Sequence, residues 1–222
     1  MTLSELLPHL PQQKVDLLDR YCDLLLDENT RVNLTAITER DAVYVKHIVD
    51  SLAAVELLKQ GARVVDIGCG AGLPSIPLKT VRDDLDFTLL DSVNKKVSFC
   101  NRAVASLGLT RIEAHHTRIE EWKTHDYDYC VARAVSKLNT LAEYALPLLK
   151  VGGQLISYKA NDVEQELEEA QNALRVLGGK IERIVTLDLD SQTRRKLIVV
   201  TKTRPTPPSY PRPRNLPRTK PL

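Results

Sequence analysis

Apolar positions along the chain repeat with two different periods. Between Gln12 and Glu28, Val15, Leu18, Cys22, Leu25 and Leu26 recur at helical spacing, and after the loop "NLTAIT" a second helical stripe runs through Val45, Ile48, Val49 and Leu52. Thr38 and Asp41 have the spacing of a reciprocal Thr-x-x-acid cap at the start of that second helix. From Arg63 onward, short apolar runs alternate with amphipathic stretches. Strands are predicted at Val64–Ile67, Phe87–Asp91, Ile112–His115, Tyr127–Ala132, Gln154–Tyr158, Ile181–Leu187 and Lys196–Lys202. Helices are predicted from Pro74, and over Val93–Leu107, Leu138–Leu149 and Val163–Leu177. This alternation calls for a mostly parallel sheet with helices on both faces. Only "DLDSQTRR" separates the last two strands, too little for a helical crossover, so they are antiparallel neighbours. The expected architecture is α/β: a seven-stranded, doubly wound, Rossmann-like sheet with one antiparallel strand, preceded by an N-terminal helical extension. Residues 1–60 form the extension, 61–203 the core and 204–222 a tail.

Composition adds bounds. Hydrophobic residues make up 43% and charged residues 27% of the 222 residues, ordinary for a globular chain, and no apolar run approaches the length of a membrane span. The start "MTLSELLPHLPQQ" has no basic region and no small-residue cleavage site, so a cytoplasmic location is expected. Cys22, Cys69, Cys100 and Cys130 are scattered without a C-x-x-C pair, which fits buried thiols better than a metal site or a disulfide framework. The net charge of +2 conceals an asymmetry: the tail carries five basic residues and no acid, leaving −3 for the rest. That tail, "RPTPPSYPRPRNLPRTKPL", also holds 7 of the 12 prolines and is expected to be extended rather than helical.

The chemistry concentrates in "VVDIGCGAGLPSIPL", a strand, a glycine turn and a helix start. Such a turn is expected to point backbone N–H groups at a ligand. Gly68, Gly70 and Gly72 are spaced G-x-G-x-G, which misses the dinucleotide pattern G-x-G-x-x-G. Asp66, two residues before the first glycine, would repel a pyrophosphate but suits a cationic ligand. S-adenosylmethionine meets that description, since it carries a sulfonium and an ammonium group and no phosphate. Asp91 ends the next strand 19 residues after Gly72, where a carboxylate takes ribose hydroxyls, and Ser92 follows it.

"VVDIGCGAG" followed by "FTLLD" resembles the first two motifs of class I S-adenosylmethionine-dependent methyltransferases. Further along, "NLTAIT", "HIVDSL", "LLDSVNKKVSF", "RIEEW", "ARAVSKL", "GGQLISYK" and "YPR" together resemble the RsmG family, also called glucose-inhibited division protein B. The resemblance implies methylation of guanine N7 in small-subunit (16S) ribosomal RNA, with that RNA or the assembling 30S particle as partner. It implies cofactor contacts at Gly68, Leu73, Ile119, Glu120 and Arg133. Leu73 would cover the ligand, Glu120 and the Ile119 backbone would meet the adenine edge, and Arg133 would pair with the methionine carboxylate or a substrate phosphate. His47 and Asp50 occupy family motif positions for which a structural role, between extension and core, is expected. Where the family has glycine, arginine and glycine, this chain has Ser75, Lys46 and Ala160.

What is missing fits the same chemistry. An amine-methylating Asp/Asn-Pro-Pro-aromatic motif is absent after the fourth strand, where "ARAV" stands, and Cys130 lies inside a strand rather than where a pyrimidine-attacking thiol belongs. Guanine N7 offers a free lone pair, so in-line transfer needs orientation, worth roughly 7–11 kcal/mol, and no general base. Arg133 and Lys159 are the candidates for holding substrate, while His115, His116 and His125 are expected at the surface. The tail is expected to be an RNA-contacting arm, its arginines on phosphates and Tyr210 on a base. The competing readings are a methyltransferase for another RNA, a protein or a small molecule, and a ribosome-assembly binding protein that keeps the fold without catalysis.

Overall fold

The computed structural model describes residues 1–160, 162–189 and 193–222. Residues 190–192, within the "DLDSQTRR" connection, lie outside them. The extension begins with α1 (Leu3–Leu6) and α2 (Gln12–Asn29), then α3 (Arg40–Val43), which passes through a π turn at Tyr44–Val49 into α4 (Asp50–Leu52). The core follows as β1 (Arg63–Ile67), α5 (Ser75–Val81), β2 (Asp86–Asp91), α6 (Asn94–Ser106), β3 (Ile112–His116) and β4 (Tyr127–Arg133). It ends with α7 (Leu138–Ala145), β5 (Leu149–Lys159), α8 (Glu164–Leu177), β6 (Gly179–Asp188) and β7 (Arg194–Lys202), before α9 (Leu216–Thr219) in the tail.

The seven strands lie in the order β3-β2-β1-β4-β5-β7-β6. The pairings among β1 to β5 are parallel, whereas β7 runs antiparallel to both β5 and β6. β7 is therefore the reversed strand. Chain direction across the sheet switches between β1 and β4, so the connections leaving their carboxyl ends diverge and open a crevice there, the place where ligands bind in open α/β sheets.

Alternation along β1 divides the core. Val64 faces a cluster with Leu18, Tyr21, Cys22 and Leu25 of α2 and with Phe99 and Cys100 of α6. Val65 and Ile67 face a second cluster with Leu141 and Ala145 of α7 and with Ala170, Ala173 and Leu174 of α8. The extension thus shares the core of the sheet. All four cysteines are free and buried.

Three sequence expectations change. The Thr38 cap does not form: Glu39 is the N-cap of α3, without a side-chain cap bond, and the Asp41 carboxylate instead lies 3.6 Å from the N-terminal amine. The predicted Leu138–Leu149 helix ends at Ala145 and tightens into a 3-10 turn over Leu146–Leu148, where Pro147 has no N–H to continue the helical ladder. The tail is not an extended arm. It ends in α9, buries Pro217 and packs half-buried Tyr210 against the α7/α8 cluster, because the apolar faces of its prolines and tyrosine find a partner on that side of the core.

Candidate functional site

The turn after β1 is held closed by its own backbone. Gly68 and Cys69 N–H donate to the Leu90 carbonyl (2.8 and 3.1 Å), Gly72 and Leu73 N–H to the Cys69 carbonyl (2.8 and 3.0 Å), and Gly70 N–H to Asp91 Oδ2 (2.9 Å). The expectation that these amides face a ligand is corrected: they bind the turn to the end of β2. Gly68, Gly70 and Gly72 all have positive φ (70°, 57° and 84°), which explains why glycine stands at each. A Cβ on Gly68 would sit 2.9 Å from a Val135 methyl, and one on Gly72 2.4 Å from the Ile76 δ-methyl. From the other side, Tyr21 of α2 donates to the Ala71 carbonyl (2.7 Å). Neither hydrophobic periodicity nor spacing along the chain pointed to that prop.

Two carboxylates flank the turn. Asp66 is fully buried; its Oδ2 accepts from Ser75 Oγ (2.6 Å), and its Oδ1 has no hydrogen-bond partner among the described residues. Burial pushes its carboxyl up to about 7, against the opposing effect of the Ser75 bond. Asp91 Oδ1 accepts from Val93 N–H (2.8 Å), so this residue closes the turn with one oxygen and starts α6 with the other.

A cleft of about 300 Å³ opens beside the turn, over the carboxyl ends of β1, β2 and β4. Of the sequence candidates, Gly68, Asp91, Ser92, Ile119 and Glu120 line it. Gly70, Gly72 and Asp66 lie behind it, and Leu73 is buried in the α2/α6 cluster rather than covering the cleft. Lys96, Thr117, Arg118, Val135, Tyr144 and two residues of the tail, Asn215 and Arg218, line it as well. Ala134 and Asn215, both on its wall, are non-glycine residues at positive φ (56° and 61°).

Arg133 and Lys159 are drawn into internal ion pairs. Arg133 Nη1 donates to Asp50 Oδ2 (3.0 Å) and to the Lys46 carbonyl (3.2 Å), and Asp50 also holds Arg195 Nε at 2.6 Å. Asp50 is fully buried, so it sits between two guanidinium groups. His47 Nδ1 lies 3.0 Å from the Lys46 carbonyl and 3.2 Å from Arg133 Nη2, and its Nε2 lies 2.7 Å from Thr35 Oγ1. Desolvation, reinforced by Arg133, lowers His47 to about 4. The structural role expected for His47 and Asp50 is what these contacts describe. Lys159 Nζ donates to the Ser136 carbonyl (2.8 Å) and to Glu166 Oε1 (2.5 Å). His116 and His125 are exposed, whereas His115 is half-buried with its ring 4.8 Å from that of Trp122.

Among the described residues, no group of three or more His, Cys, Asp or Glu is placed to hold a metal ion. None of their helices is long and apolar enough to cross a membrane.

The strand order, the glycine turn after β1 and the acid closing β2 define a class I S-adenosylmethionine-dependent methyltransferase fold. A solved S-adenosylmethionine-dependent methyltransferase from Aquifex aeolicus shares this fold with a TM-score of 0.56, at 18% identity, covering 72% of this chain and 93% of its own. The chain belongs to the GidB family, described as rRNA small subunit methyltransferase G, whose model matches residues 14–198. It is 44% identical to ribosomal RNA small subunit methyltransferase G of Alkaliphilus metalliredigens, across 96% of this chain and 93% of that protein. The protein of the same name from Streptococcus gordonii is 39% identical over the whole of both chains.

Proposed function

We propose that this protein uses S-adenosylmethionine to methylate N7 of a guanine in 16S ribosomal RNA, free or within the assembling 30S particle. The observation that carries the cofactor assignment is the glycine turn: its amides at residues 68, 69, 70, 72 and 73 are bonded internally, and Asp66 and Asp91 flank it. A turn whose amides at these five positions are already bonded, with the Asp91 carboxylate on the cleft wall, is a poor phosphate cradle and suits a cation better. Family membership supports the RNA substrate. The site residues named from the sequence fit this group in part. Gly68, Asp91, Ile119 and Glu120 line the cleft, where Gly68 would leave room for it, Asp91 would take the ribose, and Glu120 with the Ile119 backbone would meet the adenine edge.

When bound, the cofactor supplies an electrophilic methyl on a positively charged sulfur. The residues of this chain orient rather than activate, because guanine N7 has an available lone pair and gives up no proton when it is alkylated. Arg133, bonded to Asp50 and to the Lys46 carbonyl, would steady the end of β4. No catalytic base is assigned.

The test is transfer of tritiated methyl from the cofactor to 16S RNA and to 30S particles, followed by nucleoside mass spectrometry. N7-methylguanosine is the expected product. Label on another base, on protein or on a small molecule overturns the substrate assignment, and no label on any of them favours a binding-only protein.

A further inference from the structure

Three of the contacts that pack the tail onto the core lie along α7 and the connection leading into it. The buried Glu143 carboxylate of α7 accepts from Arg212 Nε (2.8 Å), Nη2 (2.6 Å) and backbone N–H (2.8 Å). One turn earlier on α7, Thr140 Oγ1 donates to the Pro217 carbonyl (2.9 Å). Arg218 Nη2 then donates to the carbonyl of Val135 (3.2 Å). Val135 lines the cleft together with Gly68 and Arg218, and its side chain is the one a Gly68 Cβ would strike. The bond to its carbonyl therefore ties Arg218 to the residue that neighbours the first glycine of the turn. Asn215, in the left-handed conformation beside it, completes the same wall with Arg218, Ala134 and Tyr144.

Resting on the assignment of this cleft to S-adenosylmethionine, we propose that residues 210–219 form a strap that is part of the cofactor site. Asn215 and Arg218 contact the bound cofactor, and the Glu143–Arg212 pair and the Thr140 bond hold them in place. The charge on the tail therefore has two destinations. Arg212 pairs with the buried Glu143 carboxylate and exposed Arg218 reaches the Val135 carbonyl, while exposed Arg214 and Lys220 make no side-chain hydrogen bond or ion pair among the described residues.

Calorimetry with S-adenosylmethionine and with S-adenosylhomocysteine on the full chain tests the strap without reference to RNA. Arg218→Ala is expected to raise Kd by about 2- to 12-fold, the range that one net hydrogen bond spans. Thr140→Val, which loosens the anchor without touching the cleft, is expected to raise it in the same direction, and Lys180→Ala, at an exposed position of the edge strand β6, to leave it unchanged. Hydrogen exchange adds a second reading: the amides of Arg218, Thr219 and Lys220, bonded within α9, are expected to slow when cofactor is added to the unaltered protein. Unchanged Kd in Arg218→Ala and Thr140→Val, with unaltered melting temperature, overturns the strap; weaker 16S RNA binding in the same variants would then assign the segment to RNA. A wild-type chain that binds neither compound would instead overturn the cofactor assignment itself.

Discussion

Glu143 and Arg212 are joined by three hydrogen bonds, although 69 residues separate them in the chain and the carboxylate is fully buried. One basic residue of the tail is thereby neutralised inside the protein. Arg212→Met strands a buried carboxylate, and breaking such a pair costs about 3–5 kcal/mol. Arg212 keeps a quarter of its side chain exposed, so the lower end of that range is expected. Urea unfolding measures it, and the double variant Glu143→Leu/Arg212→Met should recover most of the loss because no charge is left unpaired. A single variant as stable as the parent would show that water satisfies Glu143 without Arg212.

Asp66 and His47 titrate in opposite directions. The folded chain holds the Asp66 carboxyl at about 7 by burial, above the usual 3.8, so this group lowers stability progressively as pH rises from about 4 to 7. Desolvation holds His47 at about 4, below the usual 6.5, so its contribution is complete above 6.5 and is lost as pH falls toward 4. Between these limits the two proton uptakes cancel. Asp66→Asn is expected to unmask a stability that rises with pH by up to about 1.4 kcal/mol per unit between pH 4.5 and 6.5, and His47→Gln one that falls by a similar amount. Denaturant unfolding at a series of pH values checks both slopes, and parallel profiles for parent and variants would remove these groups from the pH dependence.

The strand and helix succession was legible in the sequence because β1 to β7 are short apolar runs set between amphipathic helices, a local property of each segment. Asp91 was legible as a cleft residue because residues at the ends of strands in this fold point into the crevice, whereas Glu120, in a 3-10 turn beyond β3, came only from the family resemblance. Arg133 was placed correctly at a strand end, but its partner Asp50 lies 83 residues earlier, and hydrophobic period carries no record of such a pairing. The tail hid its packing more thoroughly. Its prolines and arginines have the composition of a solvated arm, while Glu143, the residue that captures it, looks in sequence like one more helix-surface acid.

The glycines of the turn separate by what surrounds them. A Cβ on Gly70 would meet no atom within 4 Å, so Gly70→Ala carries only the cost of a positive φ, roughly 1–2 kcal/mol. Gly72→Ala carries the same cost and in addition drives a methyl to 2.4 Å from Ile76 Cδ1 in the α2/α6 cluster. Thermal unfolding should rank Gly72→Ala well below Gly70→Ala. Equal melting temperatures would mean that Ile76 moves aside freely.

Asp91 closes the turn and lines the cleft, and two measurements separate those roles. Its oxygens accept from Gly70 and Val93 N–H, at 2.9 and 2.8 Å, while the carboxylate also lines the cleft. Asp91→Ala removes all three interactions. Asp91→Asn keeps one acceptor but turns an amide NH₂ toward a backbone N–H, so the turn or the start of α6 must loosen. Hydrogen bonds to a charged group are worth about 1.5–3 kcal/mol each, so both variants are expected to weaken S-adenosylmethionine binding tenfold or more by calorimetry. Hydrogen exchange at the Gly70 amide is expected to accelerate in both, since its acceptor is lost or opposed. Weakened binding with an unchanged Gly70 amide would confine Asp91 to the ribose. Faster exchange with unchanged affinity would make it a turn-closing residue alone, and the cofactor's hydroxyls would then have to be met by another polar residue of the cleft, such as Ser92, Lys96, Thr117 or Glu120.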